Sequence, residues 1–217
     1  MSNLVLSSRL VPAIRSLRRL GAPRSGAKLV YIPTADMGDW RRKPVSRHLN
    51  IRRLTQAGFN VHVLDVAHAT PNEVESELRG ADVICVGGGN TFYLMQELRR
   101  SGAADVLVEE VDAGKPYIGV SAGAVVAGPD IGYIAPMDDP AKGRFLQTCK
   151  GLGLVDFRVV PHVGAALLGR AAASIVRLQE NLAASMAGRQ PLSSKLELLT
   201  DREGIVINGA KAIRLAI

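Results

Sequence analysis

Three short segments carry residues suited to acyl-transfer chemistry. The sharpest is Gly119-Val-Ser-Ala-Gly123, which follows the apolar run Tyr117–Val120 and leads into the small residues Ala124–Ala127. A serine there has the strand–turn–helix context of a nucleophile elbow. The glycines permit a sharp turn, the helix dipole favours developing negative charge, and the Ala122 amide faces a reacting carbonyl. The same five residues also fit an ordinary Gly-Ser turn, so the context carries the reading. Gly87-Gly-Gly-Asn90-Thr91 likewise follows an apolar run and enters a helix. Its backbone amides suit an anion or the second donor of an oxyanion hole. It lacks both the Lys-Ser/Thr ending of a P-loop and dinucleotide-fold glycine spacing. The third segment, Val159-Val-Pro-His162-Val-Gly164, puts a histidine at the end of an apolar run. His48, His62 and His68 have no motif around them and read as structural or surface residues.

A serine is a weak nucleophile at neutral pH and needs a base within hydrogen-bond reach. His162 is the candidate base for Ser121. The base in turn needs an acceptor that holds its tautomer and stabilises the imidazolium. Between the two lie Asp130, Asp138, Asp139 and Asp156. The order Ser…Asp…His fits an α/β-hydrolase. An interval of only 41 residues does not, because that fold places further strands and helices there.

The elements that must position these residues read as an α/β alternation. Leu4–Leu6, Lys28–Ile32, Val61–Leu64, Val83–Val86, Tyr117–Val120 and Phe157–Val160 are short, nearly continuous apolar runs, as in a parallel sheet covered on both faces. Helical segments alternate with them: Pro44 to Ala57 with Gly58 as its stop, one opening at Thr70-Pro71, one capped by Asn90, Ala104 to Ala113, and Arg170 to Ala187. Residues 128–153 have no period and read as a long functional loop. Leu196–Leu199 and Ile205–Ile207 read as a hairpin around Asp201-Arg-Glu-Gly204. The pattern is a doubly wound α/β domain.

Composition narrows the partners. The chain has 217 residues, 47% apolar and 22% charged, which suits one globular domain. No apolar run reaches the ~18 residues of a membrane span, and Met1 to Arg19 has no secretory h-region. No membrane association is expected, and a cytoplasmic location is the default. The net charge of +7 is spread over pairs such as Arg18-Arg19, Arg41-Arg42, Arg52-Arg53 and Arg99-Arg100. Without a basic run or interleaved aromatics, no nucleic-acid partner is expected. Cys85, inside an apolar run, reads as a small core residue, and a disulfide with Cys149 is not expected.

Val86-Gly-Gly-Gly-Asn-Thr-Phe92, Tyr117-Ile-Gly-Val-Ser-Ala-Gly-Ala124 and Pro161-His162 together resemble the peptidase E and cyanophycinase family of serine peptidases. The resemblance covers roughly residues 28–217 and implies a class I glutamine amidotransferase-like (flavodoxin-like) fold in one domain, 1–217. It implies Ser121 as nucleophile, His162 as base, and the amides of Gly89 and Ala122 as the oxyanion hole. The family's acid lies in the loop after the elbow. Its usual spacing falls on Pro136, so Asp139, then Asp138, is expected. Gly88 and Asn90 are candidate substrate contacts. Peptidase E cleaves dipeptides with an N-terminal aspartate, read by a basic residue after the histidine. Here that segment, Gly164 to Arg177, is small and apolar except for Arg170 and Arg177. Those two are the candidate cations, and little aspartate preference is expected. No metal or organic cofactor is implied, and nothing chooses between a monomer and a homodimer.

The reading is therefore a serine peptidase acting through an acyl-enzyme on a short peptide or small amide, with loop 128–153 limiting entry. The alternative is an inactive protein of the same fold that binds a small molecule or anion at Gly87–Gly89. A glutamine amidotransferase is disfavoured, because that chemistry in this fold uses a thiolate.

Overall fold

The apolar runs become strands in the computed structural model, which describes residues 3–17, 20–21, 25–38, 45–185 and 195–216. In chain order the elements begin β1 (Asn3–Ser7), α1 (Leu10–Leu17), β2 (Lys28–Ile32), a 3-10 turn (Thr34–Gly38), α2 (Val45–Gln56), β3 (Asn60–Val63) and α3 (Pro71–Arg79). Then come β4 (Val83–Val86), α4 (Thr91–Arg100), α5 (Ala103–Asp112), β5 (Tyr117–Val120), α6 (Ala122–Val126) and β6 (Arg158–Val160). The chain closes with α7 (Gly169–Ser185), β7 (Leu196–Leu198), β8 (Glu203–Asn208) and β9 (Lys211–Ala216). Pro44, the pairs Arg18-Arg19 and Arg41-Arg42, and positions 186–187 of the expected last helix lie outside the described residues.

Seven strands form one sheet in the order β3-β2-β4-β5-β1-β8-β9. The first five are mutually parallel, and β8 and β9 run antiparallel to their neighbours. Side chains alternate across the sheet, so each strand feeds two cores. Val30, Ile84 and Tyr117 pack on one face with α3, α4 and α5. Leu29, Val83 and Ile118 pack on the other with Leu10, Ala13 and Leu17 of α1 and Leu54 of α2. Cys85 is fully buried there and free, while Cys149 is free and exposed. Helix starts follow local chemistry: Thr70 and Glu73 form a capping box on α3, and the Asn90 side chain accepts from the Tyr93 amide on α4. Among the described residues no helix is long and apolar enough to cross a membrane.

Two expectations change. The closing hairpin is β8–β9, joined through Gly209 in a left-handed conformation (φ 58°). Leu196–Leu198 instead pairs in parallel with β6 as a separate two-stranded sheet. The hairpin expectation failed because the turn residues 201–204 end one strand and begin the next without pairing them. Loop 128–153 is also tied down away from the nucleophile. The Asp138 carboxylate accepts from the Thr91 amide (2.9 Å), and Arg99 donates to the carbonyls of Thr148 (3.0 Å) and Lys150 (2.6 Å). The loop therefore braces α4 and is not part of the wall of the cavity beside Ser121.

Candidate active site

The C-terminal ends of β1, β4 and β5 lie side by side, the place where open parallel sheets bind ligands. At the end of β5, Ser121 has φ 53° and ψ −110°. With His162 (φ 63°), it is one of two non-glycine residues with positive φ among those described. Each such conformation costs roughly 1–3 kcal/mol and persists only where its surroundings over-determine it. Here the Ser121 amide donates to the Ser7 carbonyl (2.8 Å) and the Gly123 amide to Gly87 (3.2 Å). The buried Tyr117 hydroxyl donates to the Gly123 carbonyl (2.7 Å). The elbow glycines are required by space: a Cβ on Gly123 would sit 2.2 Å from the Val86 carbonyl oxygen. Gly123→Ala is accordingly expected to displace the elbow, lower thermal stability by about 1–3 kcal/mol and slow reaction at Ser121. Unchanged melting and unchanged labelling of that serine would contradict this.

His162 is placed by a cross-link between distant segments. Its amide donates to Ser8 Oγ (3.0 Å), which donates to the Leu199 carbonyl (3.1 Å). Its Nε2 lies 2.9 Å from Ser121 Oγ. Its Nδ1 lies 2.6 Å from Oδ1 of Asp201. The parallel register sets Val160 beside Leu198, so the residues just beyond, His162 and Asp201, emerge at the same end. Oδ2 of Asp201 accepts from Arg9 Nε (2.9 Å) and Nη2 (2.8 Å). Burial pushes the Asp201 carboxyl pKa up, but hydrogen bonds from Arg9 and His162 and their charges outweigh it and hold the pKa below the usual aspartate value.

The expected acids, Asp139 and Asp138, have other hydrogen-bond partners. Asp139 caps the 3-10 turn Pro140–Gly143 by accepting from the Ala141 amide (2.9 Å), and Asp138 is bound to Thr91 (2.5 Å to its hydroxyl). Their loop is anchored on α4, and the carboxylate at hydrogen-bond distance from His162 is that of Asp201. Asp201 was read only as a turn residue. The available signal was its position after an apolar run late in the chain, but the β6–β7 pairing that gives it meaning is non-local.

The remaining candidates divide. Gly88 abuts the nucleophile: a Cβ there would lie 2.9 Å from Ser121 Cβ. The amides of Gly88, Gly89 and Ala122 donate to no backbone carbonyl among the described residues, which leaves donors available beside Ser121. Asn90 is buried, with its side chain accepting from the Tyr93 amide and donating to the Asp139 carbonyl. Arg170 and Arg177 are exposed on α7 and are not among the residues that line the cavity. A cavity of about 850 Å³ opens beside Ser121 and His162, walled by α1, α2 and residues 165–168. Sequence inspection did not find its α1 and α2 walls.

A buried Ser–His pair on an elbow at the end of a parallel strand defines a serine hydrolase on a glutamine amidotransferase-like scaffold. Comparison with known proteins gives the family. The model of peptidase family S51 matches residues 2–215. An uncharacterized peptidase of Listeria monocytogenes is 33% identical over 215 residues, 98% of each chain. Peptidase E of Shewanella amazonensis is 43% identical over 105 residues, 48% of this chain and 42% of that protein. The crystal structure of a candidate peptidase E protein from Listeria monocytogenes superposes with a TM-score of 0.88 at 32% identity, covering 100% of this chain and 99% of the other. The chain belongs to peptidase family S51 and is a peptidase E-like serine hydrolase. The match also takes in the N-terminal strand and the turn after it, which lie before the residues that carry the sequence resemblance and which supply Ser7, Ser8 and Arg9.

Proposed function

We propose that this hydrolase cleaves short peptides or small amides through an acyl-enzyme on Ser121, with His162 as base and Asp201 as the acceptor that orients it. The observation that carries the reading is the continuous chain Arg9–Asp201–His162–Ser121, each link at hydrogen-bond distance. Ser121 Oγ attacks the carbonyl carbon as its proton passes to Nε2 of His162. The tetrahedral oxyanion is met by the free amides of the Gly88–Gly89 loop and of Ala122 at the start of α6. Asp201 stabilises the imidazolium, which returns the proton to the departing amine. Water then enters by the same route, loses its proton to His162 and attacks the acyl carbon, and the imidazolium returns that proton to Ser121 Oγ as the ester bond breaks and the acid leaves.

The test is a fluorophosphonate probe read by intact mass. One adduct, mapped to Ser121, is expected. Absence of any adduct would favour the alternative, a non-catalytic binding protein.

A pH prediction follows from Asp201. Its carboxyl lies below the usual aspartate value, so it is ionised throughout the range in which an imidazole titrates. The acid limb of kcat/KM is therefore expected to report one group, His162, with activity lost as pH falls and the base takes up a proton. Arg9→Ala removes a cation close to that imidazole and should move the limb to higher pH, with Arg9→Lys restoring it in part. A limb unmoved in Arg9→Ala would reduce Arg9 to a structural contact.

A further inference from the structure

The cavity beside Ser121 contains more than the proposed catalytic groups need. Two of its walls repeat one arrangement. On α1, Val11 and Arg15 are four residues apart, and on α2 so are Leu49 and Arg53. That spacing stacks each pair on one helix face, and all four side chains line the cavity. Because α1 leaves β1 at the active-site end, Val11 is nearer the nucleophile and Arg15 lies about 6 Å further along the axis.

The aliphatic members are left to water. Val11 is 36% exposed, Leu49 43% and Leu167, from the opposite wall, 88%. Aliphatic surface converging in a concave site beside a nucleophile is surface for a ligand to cover. Among the described residues the cationic members are unspent as well. Arg9 is committed to Asp201, but neither the Arg15 nor the Arg53 guanidinium has an ion-pair or hydrogen-bond partner among the described residues. A guanidinium of this kind matches a carboxylate in shape and charge. An offset of about 6 Å is close to two residues of extended chain.

We propose, on the basis of the acyl-enzyme reading above, that the substrate is a short peptide with an aliphatic side chain beside the scissile bond and a free C-terminal carboxylate. The side chain packs on Val11, Leu49 and Leu167. The carboxylate is taken by Arg15 and Arg53. Specificity then comes from α1 and α2, not from the segment after His162.

The experiment compares Leu-Leu, Ala-Leu and Asp-Leu as free acids and as C-terminal amides. The free acid of Leu-Leu should exceed its amide by at least ~10-fold in kcat/KM, mostly through KM, a difference of about 1.4 kcal/mol. The double variant Arg15→Gln/Arg53→Gln should bring acid and amide level. Leu167→Ser should narrow the preference of Leu-Leu over Ala-Leu. The same contrast can be read without turnover, as protection of Ser121 from the fluorophosphonate by peptide acids against peptide amides. Equal treatment of acid and amide in both measurements overturns the proposal while a labelled Ser121 leaves the acyl-enzyme reading standing. A ~100-fold advantage of Asp-Leu that disappears in the arginine variant overturns it too, since the carboxylate read would then be a side chain. Failure of Ser121 to label at all would instead remove the acyl-enzyme reading beneath it.

Discussion

Ser121→Ala is expected to lower kcat on the order of 10⁶-fold, the loss typical when a serine nucleophile is removed from an intact site, and to abolish fluorophosphonate labelling. Ser121 is buried, takes its conformation from the backbone bonds around it, and offers its Oγ to His162 Nε2 at 2.9 Å. Those backbone bonds do not involve the hydroxyl, so the variant should keep its fold and its melting temperature. Retained turnover in this variant would place the chemistry elsewhere in the molecule.

Asp201→Asn should lower kcat about 10⁴-fold without unfolding the protein. An asparagine amide facing Nδ1 favours the tautomer with the proton on Nε2, which cannot accept one from serine. It also removes the charge that stabilises the imidazolium. Asp139→Ala is the control. It deletes an exposed turn cap, and activity should stay within about threefold, because surface changes of this kind usually cost no more than ~0.5 kcal/mol. Asp138→Ala should act on stability, since it removes the acceptor for the Thr91 amide at the head of α4, a loss of about 1 kcal/mol for a helix N-terminal bond. Equal kinetic damage from Asp139→Ala and Asp201→Asn would refute the assignment.

The contrast between these aspartates shows what could be read from the chain. The elbow, the glycine loop and the strand ahead of His162 are local features. A strand of four apolar residues, a glycine where a Cβ would strike Val86, and a capping asparagine each announce themselves within a few positions. The alternation of such pieces also implied the sheet; five of the six expected runs form its parallel strands, while the run ending at Val160 pairs with Leu196–Leu198 in a separate two-stranded sheet. The third member of the chain to Ser121 has no local signature. A loop aspartate close after the serine was the natural choice in sequence, but Asp138 accepts from the Thr91 amide at the head of α4 and Asp139 from the Ala141 amide.

The amino-acid sequence by itself thus determined the α/β class, the nucleophile elbow and a histidine at the end of an apolar run, because each depends on periodicity, turn sterics or spacing within a short window. Tertiary structure decided which carboxylate faces the histidine, which arginine steadies it and which side chains wall the cavity. Asp201 meets His162 only because β6 and β7 run parallel, and Arg9 meets Asp201 only because β1 inserts between β5 and β8. The walls formed by α1 and α2 come from segments far from the motifs in sequence. Such contacts come from pairing register and helix docking between segments 39 (His162–Asp201) to 192 (Arg9–Asp201) residues apart, and no short stretch of residues encodes them.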